Sequence, residues 1–245
     1  MLISVIIPSY NRATTIIGAI DSVLNQTYRD IEVIIVDDGS TDNTVSLINS
    51  RYNGLPNVHL IINKINSGAC YSRNIGVEIA KGVLIAFNDS DDHWHPNKIK
   101  EQIDIMTFHD VDIIGSSYIR YEGEIEEVVP NKNSGYKNHK ELLKHSLIST
   151  QTILAKRSVF YDVQFDVSMK RFQDWDFIIR CSKNFRIYYS QKPQVNVYVQ
   201  PDSISNNKKA LGSLLLIINR NFREIIFSPS TWPYFLWKLI RYSVS

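Results

Sequence analysis

Apolar and polar positions alternate in blocks over roughly the first 115 residues, and the blocks carry two different periods. Ser4–Pro8, Ile31–Val36, Val58–Ile62 and Val83–Phe87 are short runs of largely β-branched apolar residues. Unbroken runs of that length predict strands buried on both faces. Between the first two, Ile16, Ile17, Ile20, Val23 and Leu24 recur at helical spacing within Ala13–Asn25. A second helix is predicted around Val45, Leu47 and Ile48, capped by Thr41 or Asp42, and a third over roughly Tyr71–Lys81. This alternation predicts an α/β fold with a mainly parallel central sheet covered on both faces. The pattern then changes. Tyr118–Tyr121 and Ile125–Val129 about Glu122-Gly123 predict a polar hairpin, and Asn131–Lys140 an irregular loop. Thr152–Ala155 and Phe185–Tyr189 predict strands on either side of a helix around Asp174–Ser182.

In such sheets ligands bind beyond the carboxyl ends of the strands. Those ends carry Pro8-Ser9-Tyr10-Asn11, Asp37-Asp38-Gly39-Ser40 and Asn88-Asp89-Ser90-Asp91-Asp92. Three carboxylates in four positions repel one another unless a cation intervenes. Asp89-Ser90-Asp91-Asp92 at a strand end therefore points to a hard divalent ion, Mn²⁺ or Mg²⁺, that leaves positions open for phosphate oxygens. Asp38 can accept hydrogen bonds from a ribose hydroxyl or a base N–H. The Gly-punctuated stretch Asn66–Gly76 enters a helix start that favours anions, with Arg73 on its first turns. Gln173-Asp174-Trp175-Asp176 sets two acids two residues apart at a helix start, on different faces. One faces a cleft as a general base while the other caps the helix or meets water. His93 and His95, which follow the acidic cluster, read as surface residues or ligand contacts.

Composition narrows the setting. The chain has 245 residues, 44% of them hydrophobic, and two cysteines, Cys70 and Cys181, in no metal-type spacing. That fits a globular protein in a reducing compartment. No basic leader with a cleavage site and no apolar run of membrane-spanning length is visible, which predicts a cytoplasmic location. The net charge of +2 conceals an asymmetry. Residues 206–245 hold six basic residues against Glu224, leaving the remainder slightly acidic. Without a basic stripe or a nucleic-acid module on the body, nucleic acid is not the expected partner. The tail segment Trp232–Tyr242 mixes aromatics with Lys238 and Arg241, which share a face if it is helical. It predicts a peripheral anchor on an anionic membrane surface, with packing on the body or in a homodimer interface as the alternatives.

Taken in order, Val5–Arg12, Val36–Asp42, Ser72–Gly76, Asp89–Asp92 and Gln173–Asp176 resemble the family 2 glycosyltransferases, inverting enzymes of the GT-A fold, over about residues 2–205. The resemblance implies that Pro8, Tyr10 and Asp38 line the pocket for the nucleotide base, and that Arg73 lies near the base and diphosphate. It implies that Asp91 touches the ribose, that Asp92 holds the metal, and that Asp89 supports the loop. It makes Asp174 the catalytic base, with Asp176 as its competitor. Gln173 replaces the usual Glu before the base. Gln200 stands where many members have a His, so a phosphate contact there would come from an uncharged group. The implied organisation is a nucleotide-sugar half over 1–115, an acceptor and base half over 116–205, and a basic, aromatic helical tail over 206–245. The implied reaction moves a sugar from a UDP-sugar to a polyprenyl-diphosphate-linked glycan acceptor of a surface polysaccharide. Two rival readings are a nucleotidyltransferase that makes nucleotide sugars and a receiver-like acidic-pocket module. The first lacks its glycine-rich loop at Pro8–Arg12, and the second leaves Asp91, Asp92 and Asp174 unexplained.

Overall fold

The computed structural model describes residues 1–199 and 207–243. The first half alternates β1 (Ile3–Ser9), α1 (Ile16–Leu24), β2 (Ile31–Asp37), α2 (Thr44–Tyr52), β3 (Val58–Ile62), α3 (Ala69–Ile79) and β4 (Leu84–Phe87). There follow β5 (His93–Trp94), α4 (Lys98–His109), β6 (Ile113–Ser116), β7 (Tyr118–Glu122), β8 (Ile125–Val129), β9 (Gly135–Tyr136) and α5 (His139–Lys144). The rest comprises β10 (Leu154–Lys156), α6 (Val159–Asp162), α7 (Gln173–Cys181), β11 (Ile187–Ser190), β12 (Val195–Tyr198), α8 (Asn207–Arg220), α9 (Phe222–Ile226) and α10 (Trp232–Ser243).

One large sheet runs β3-β2-β1-β4-β10-β6-β11-β9, and a smaller one β5-β12-β7-β8. β1 to β4 are parallel, β10 enters antiparallel between β4 and β6, and β11 is again parallel to β6. The period of two explains why these strands carry apolar residues on both faces. Ile6, Ile34, Val36, Ile85 and Phe87 enter one core, while Val5, Ile7, Val33, Ile35 and Ala86 enter the core on the opposite face. On the first face α3 lies so close to β1 that a Cβ at Gly76 would collide with the Ile6 side chain. A third cluster, with Trp175, Ile179, Leu214, Ile217 and Phe235, fastens the C-terminal helices to α7.

The structure departs from the pattern-based expectation in specific places. Asn131–Lys140 is not wholly irregular: it contains β9 and the start of α5, whose N-cap Asn138 forms a reciprocal capping box with Glu141. The predicted strand at Thr152–Ala155 begins two residues later, because Thr150–Thr152 closes into a 3-10 turn. Helix α4 and strand β6 complete the alternation after β4. Gln200 lies outside the described residues. Among the described residues no helix is long and apolar enough to cross a membrane, and both cysteines are free and buried.

Candidate active site

The parallel register places the ends of β1, β2 and β4 side by side, and hydrogen bonds lace the loops beyond them. Asn11, at φ 50°, donates its backbone N–H to Ser40 Oγ, and its Oδ1 accepts from the Thr41 N–H at 2.9 Å. Asp42 accepts from the Ala13 and Thr44 N–H groups, but the N-cap of α2 is Asn43, so neither Thr41 nor Asp42 caps the helix as expected. Tyr10, at the rim, is exposed, and Pro8 is buried within β1. Asp38 is buried and accepts from the Ser67 N–H at 3.0 Å, the Gly68 N–H at 2.6 Å and Asn63 Nδ2 at 2.8 Å. Gly68 is there at φ 93°, a conformation that disfavours a side chain. The carboxylate thus fixes the loop that launches α3.

Arg73, on α3, is the most deeply buried cation of the edge. Its Nη2 donates to Asp89 Oδ1 at 2.8 Å and its Nη1 to Gln173 Oε1 at 2.8 Å, while the guanidinium lies 5.5 Å from the Phe165 ring centroid. One side chain therefore connects the acidic loop after β4 to the first residue of α7. The neighbouring Asn74 holds the Phe165 backbone with its side-chain amide, Nδ2 donating to the carbonyl and Oδ1 accepting from the N–H, which keeps that ring in place. Asp91 is 3.6 Å from Arg12 Nε. Asp92 is buried, and among the described residues it has no ion-pair partner. Burial, then the charges of Asp89 and Asp91, holds its carboxyl well above the usual range.

On α7 the two acids part company. Asp174 accepts from the Trp175 N–H at 2.7 Å and from Ser149 Oγ at 3.2 Å. Burial raises its pKa, with Asp89 adding to the rise while the two hydrogen bonds and Arg73 oppose it. Asp176 neither caps the helix nor meets water, contrary to the alternatives set for the second acid. It is 2% exposed and clamped by Arg180 Nε and Arg220 Nη1, each at 2.8 Å. Arg220 comes from α8 and also pairs with Asp166. Asp176 is therefore an anchor for the tail, and Asp174 is the acid that faces the acidic edge.

Two residues at this site escaped the motif reading. Ser149 sits in the segment before the 3-10 turn, and Tyr118 opens β7, its phenol interacting with Ser149 and its acidity lowered by burial and by Asp174, to a pKa of about 12. No local signal marks either one, since each reaches Asp174 only through the tertiary fold. The two histidines after the acidic loop are half-buried and make contacts within the fold. The His93 ring would lie 2.6 Å from a Cβ at Gly18 and packs edge-on to Tyr198, and His95 Nε2 is 2.7 Å from Asn196 Oδ1.

The glycosyl transferase family 2 model matches residues 4–194, which include every one of these loops. The chain belongs to glycosyl transferase family 2. That membership removes the nucleotidyltransferase and receiver-like readings. Relatives span most of the chain. The beta-1,3-glucosyltransferase WfaP of Escherichia coli, which by name uses UDP-Glc and an alpha-D-GlcNAc-diphosphoundecaprenol, is 33% identical over 84% of this chain and 81% of its own. The amylovoran biosynthesis glycosyltransferase AmsB of Erwinia amylovora is 30% identical over 80% of this chain and 69% of its own. Among solved structures, S. aureus TarS superposes with a TM-score of 0.74 at 23% identity, which shows the shared GT-A fold. The family 2 chain spans 90% of its own length in that match but only 39% of TarS.

Because Asp176 is an anchor in this family 2 chain, Asp176→Asn removes one charge from a clamp with two partly exposed arginines. The expected result is a loss of about 2 kcal/mol in stability, read by urea denaturation, with turnover per folded molecule little changed. A fully stable variant with no turnover would reverse the assignment of the two acids.

Proposed function

We propose that this glycosyltransferase transfers a sugar from a UDP-sugar to a hydroxyl of a lipid-diphosphate-linked glycan during surface polysaccharide synthesis, with inversion at the anomeric carbon. The observation that carries the reading is the Arg73 bridge. It sets the α7 start, with the half-buried Asp174, against the acid-rich edge where a diphosphate would lie. The donor and acceptor named for WfaP support the substrate class, and TarS residues 1–349 have been solved in complex with UDP-GlcNAc.

In this reading residues 1–115 hold the nucleotide sugar, with Pro8, Tyr10 and Asp38 about the base, Asp91 at the ribose and Arg73 beside the diphosphate. Residues 116–205 bring the acceptor to Asp174. The acceptor oxygen attacks the anomeric carbon from the face opposite the diphosphate. The bond from that carbon to the diphosphate oxygen breaks, and its electron pair leaves with UDP. The hydroxyl proton passes to Asp174, so no covalent enzyme intermediate forms. A carboxyl raised toward neutrality by burial is a stronger base for that proton than an ordinary aspartate.

The acidic loop suits a divalent ion. Asp89 is neutralised by Arg73 and Asp91 lies near Arg12, whereas the buried Asp92 faces like charges. No group of three or more His, Cys, Asp or Glu side chains among the described residues forms a ready-made cage. Asp92 is the carboxylate that would hold such an ion. Such an ion, Mn²⁺ or Mg²⁺ at Asp92, would neutralise the charge of the leaving diphosphate.

The tail supports a peripheral position on the cytoplasmic face of a membrane. In α10, Trp232, Leu236, Trp237 and Ile240 point outward and are 52–59% exposed, and Phe227 after α9 is 83% exposed. Arg241 lies 5.2 Å from the Trp237 ring, and Arg223 is exposed nearby in sequence. An apolar stripe edged by cations complements anionic lipid. Lys238 is not one of those cations. The expectation that it shares an outer face with Arg241 fails, because its side chain turns inward among aromatic rings.

The reaction is tested by incubating the full chain with a panel of UDP-sugars and a synthetic GlcNAc-diphosphate-lipid. Release of UDP with a β-linked product is expected, and release of pyrophosphate or a retained α-linkage would overturn the reading. Asp174→Asn should lower kcat by ~10²-fold or more with UDP affinity unchanged. In the wild type, activity should rise with pH through an acid limb above the ordinary aspartate value of about 3.9, as the raised Asp174 carboxyl loses its proton. Turnover equal to wild type in the Asn variant would remove Asp174 from the mechanism.

For the ion, calorimetry of UDP with Mn²⁺ should show metal-dependent binding that Asp92→Ala abolishes. Equal metal-dependent affinity in the variant would remove Asp92 from the ion's coordination. For the tail, Leu236→Glu with Trp237→Glu and Ile240→Glu should abolish cosedimentation with anionic vesicles, while binding by the wild type should weaken as salt rises. Undiminished vesicle binding would exclude the stripe as the anchor. Concentration-dependent self-association abolished by the same substitutions would assign the stripe to a homodimer.

A further inference from the structure

The first turn of α7 is held from behind. Phe172, the residue before it, is in the left-handed region at φ 57°, ψ 30°, an unfavourable conformation for a bulky side chain. Its ring meets Trp175 edge-on at 5.8 Å and Tyr242 of α10 at 5.7 Å. Lys238 of α10 extends into the middle of this group. Its Nζ lies 4.9 Å from the Phe172 ring centroid, 4.9 Å from Trp175, 5.1 Å from Tyr234 and 6.0 Å from Tyr242. The residue is 8% exposed.

Phe172 and Trp175, two of the rings on this ammonium, bracket Gln173 and Asp174 in sequence. Those two are the α7 residues that reach Arg73 and Ser149. A desolvated cation attracts ring faces from several directions at once, which a neutral side chain of the same length does not do. We propose that Lys238 is a positioning residue for glycosyl transfer: its ammonium grips the rings of Phe172 and Trp175 and so holds the strained turn that aims Asp174 at the acceptor hydroxyl. The proposal rests on Asp174 being the base.

The arrangement has a consequence for pH. Facing Lys238 are Arg171 and Asp174 from the α7 segment, His145 after α5 through its contact with Tyr234, and Arg241, Tyr234 and Tyr242 from α10 itself. Burial, then Arg241 and Arg171, pulls the Lys238 pKa down to about 8, with Asp174 opposing. The ammonium is present below that pH and lost above it, so the grip weakens as pH rises.

The test compares the full chain with Lys238→Met and Lys238→Arg, using the UDP-sugar and acceptor lipid pair that gives UDP release. Lys238→Met should lower kcat by ~10-fold or more, the scale of a small misplacement of a reacting group. Its donor KM and its UDP affinity should stay within about twofold of wild type. Lys238→Arg, charged at every working pH, should restore kcat and abolish the decline expected of the wild type above pH 8. Wild-type kcat in Lys238→Met while Asp174→Asn is inactive would overturn the proposal alone. Wild-type kcat in Asp174→Asn would overturn the base assignment and the proposal together. Parallel loss of kcat, UDP affinity and thermal stability, unrestored by Arg, would reduce Lys238 to a packing residue. Should Lys238→Met not fold, the Arg variant decides: an unchanged alkaline decline overturns the proposal.

Discussion

A buried guanidinium is the constraint on which the rest of the site depends. Arg73 is too deeply placed to be solvated by water, and a charge in that position is costly unless it is paired and hydrogen-bonded. Asp89 supplies the charge and Gln173 the second acceptor. These partners come from the loop after β4 and from α7, so one desolvation problem is solved by joining two segments far apart in sequence. Asn74 adds the Phe165 backbone, and the aromatic face under the guanidinium follows. Among the described residues Nε of Arg73 has no acceptor, on a side chain that already faces both the acidic loop and the base helix.

Gln173 changes the balance of charge around this bridge. With Asp89 already on Arg73, a glutamate at 173 would add a second carboxylate to the same cation and a negative charge beside Asp174. Like charge nearby would raise the Asp174 pKa beyond what burial does. The amide keeps the geometry, since its Oε1 accepts from Arg73 while Nε2 donates to the Met169 carbonyl. In this chain the basicity of Asp174 is thus set by burial first, by the hydrogen bonds from Trp175 and Ser149 second, and by charge last.

The central strands β1, β2 and β4 were legible because both their faces are buried, whereas the exposed hairpin strand Ile125–Val129 was marked by the Glu122-Gly123 turn before it. The motif-bearing strand ends were legible for the same reason, since a parallel sheet brings its carboxyl ends together once the strands are known. What was not legible was contact made across large separations. Spacing alone left Asp174 and Asp176 as rivals, and Arg220, forty-four residues away, separates them. Ser149 lies in a segment with no period, so nothing local marks it. Lys238 misled because a three-residue interval to Arg241 suggests one face, yet the helix rotates Lys238 onto the rings of Phe172 and Trp175.

That rotation gives α10 two apolar faces. Phe235 stacks on Trp175 at 5.9 Å and Tyr234 meets the same indole edge-on, while Trp232, Leu236, Trp237 and Ile240 face outward. A surface helix of a globular protein normally keeps one apolar stripe for its own core and a polar remainder for water. Here the inward stripe is already spent on α7, so the outward one is not accounted for by the fold. Cutting the helix away would uncover Trp175 together with the turn before Asp174, and so could not distinguish an anchor from a brace. Substitution of outward residues leaves the inward contacts in place, and substitution of Lys238 leaves the outward stripe in place. The two faces of one helix can therefore be tested independently, one against lipid and the other against turnover.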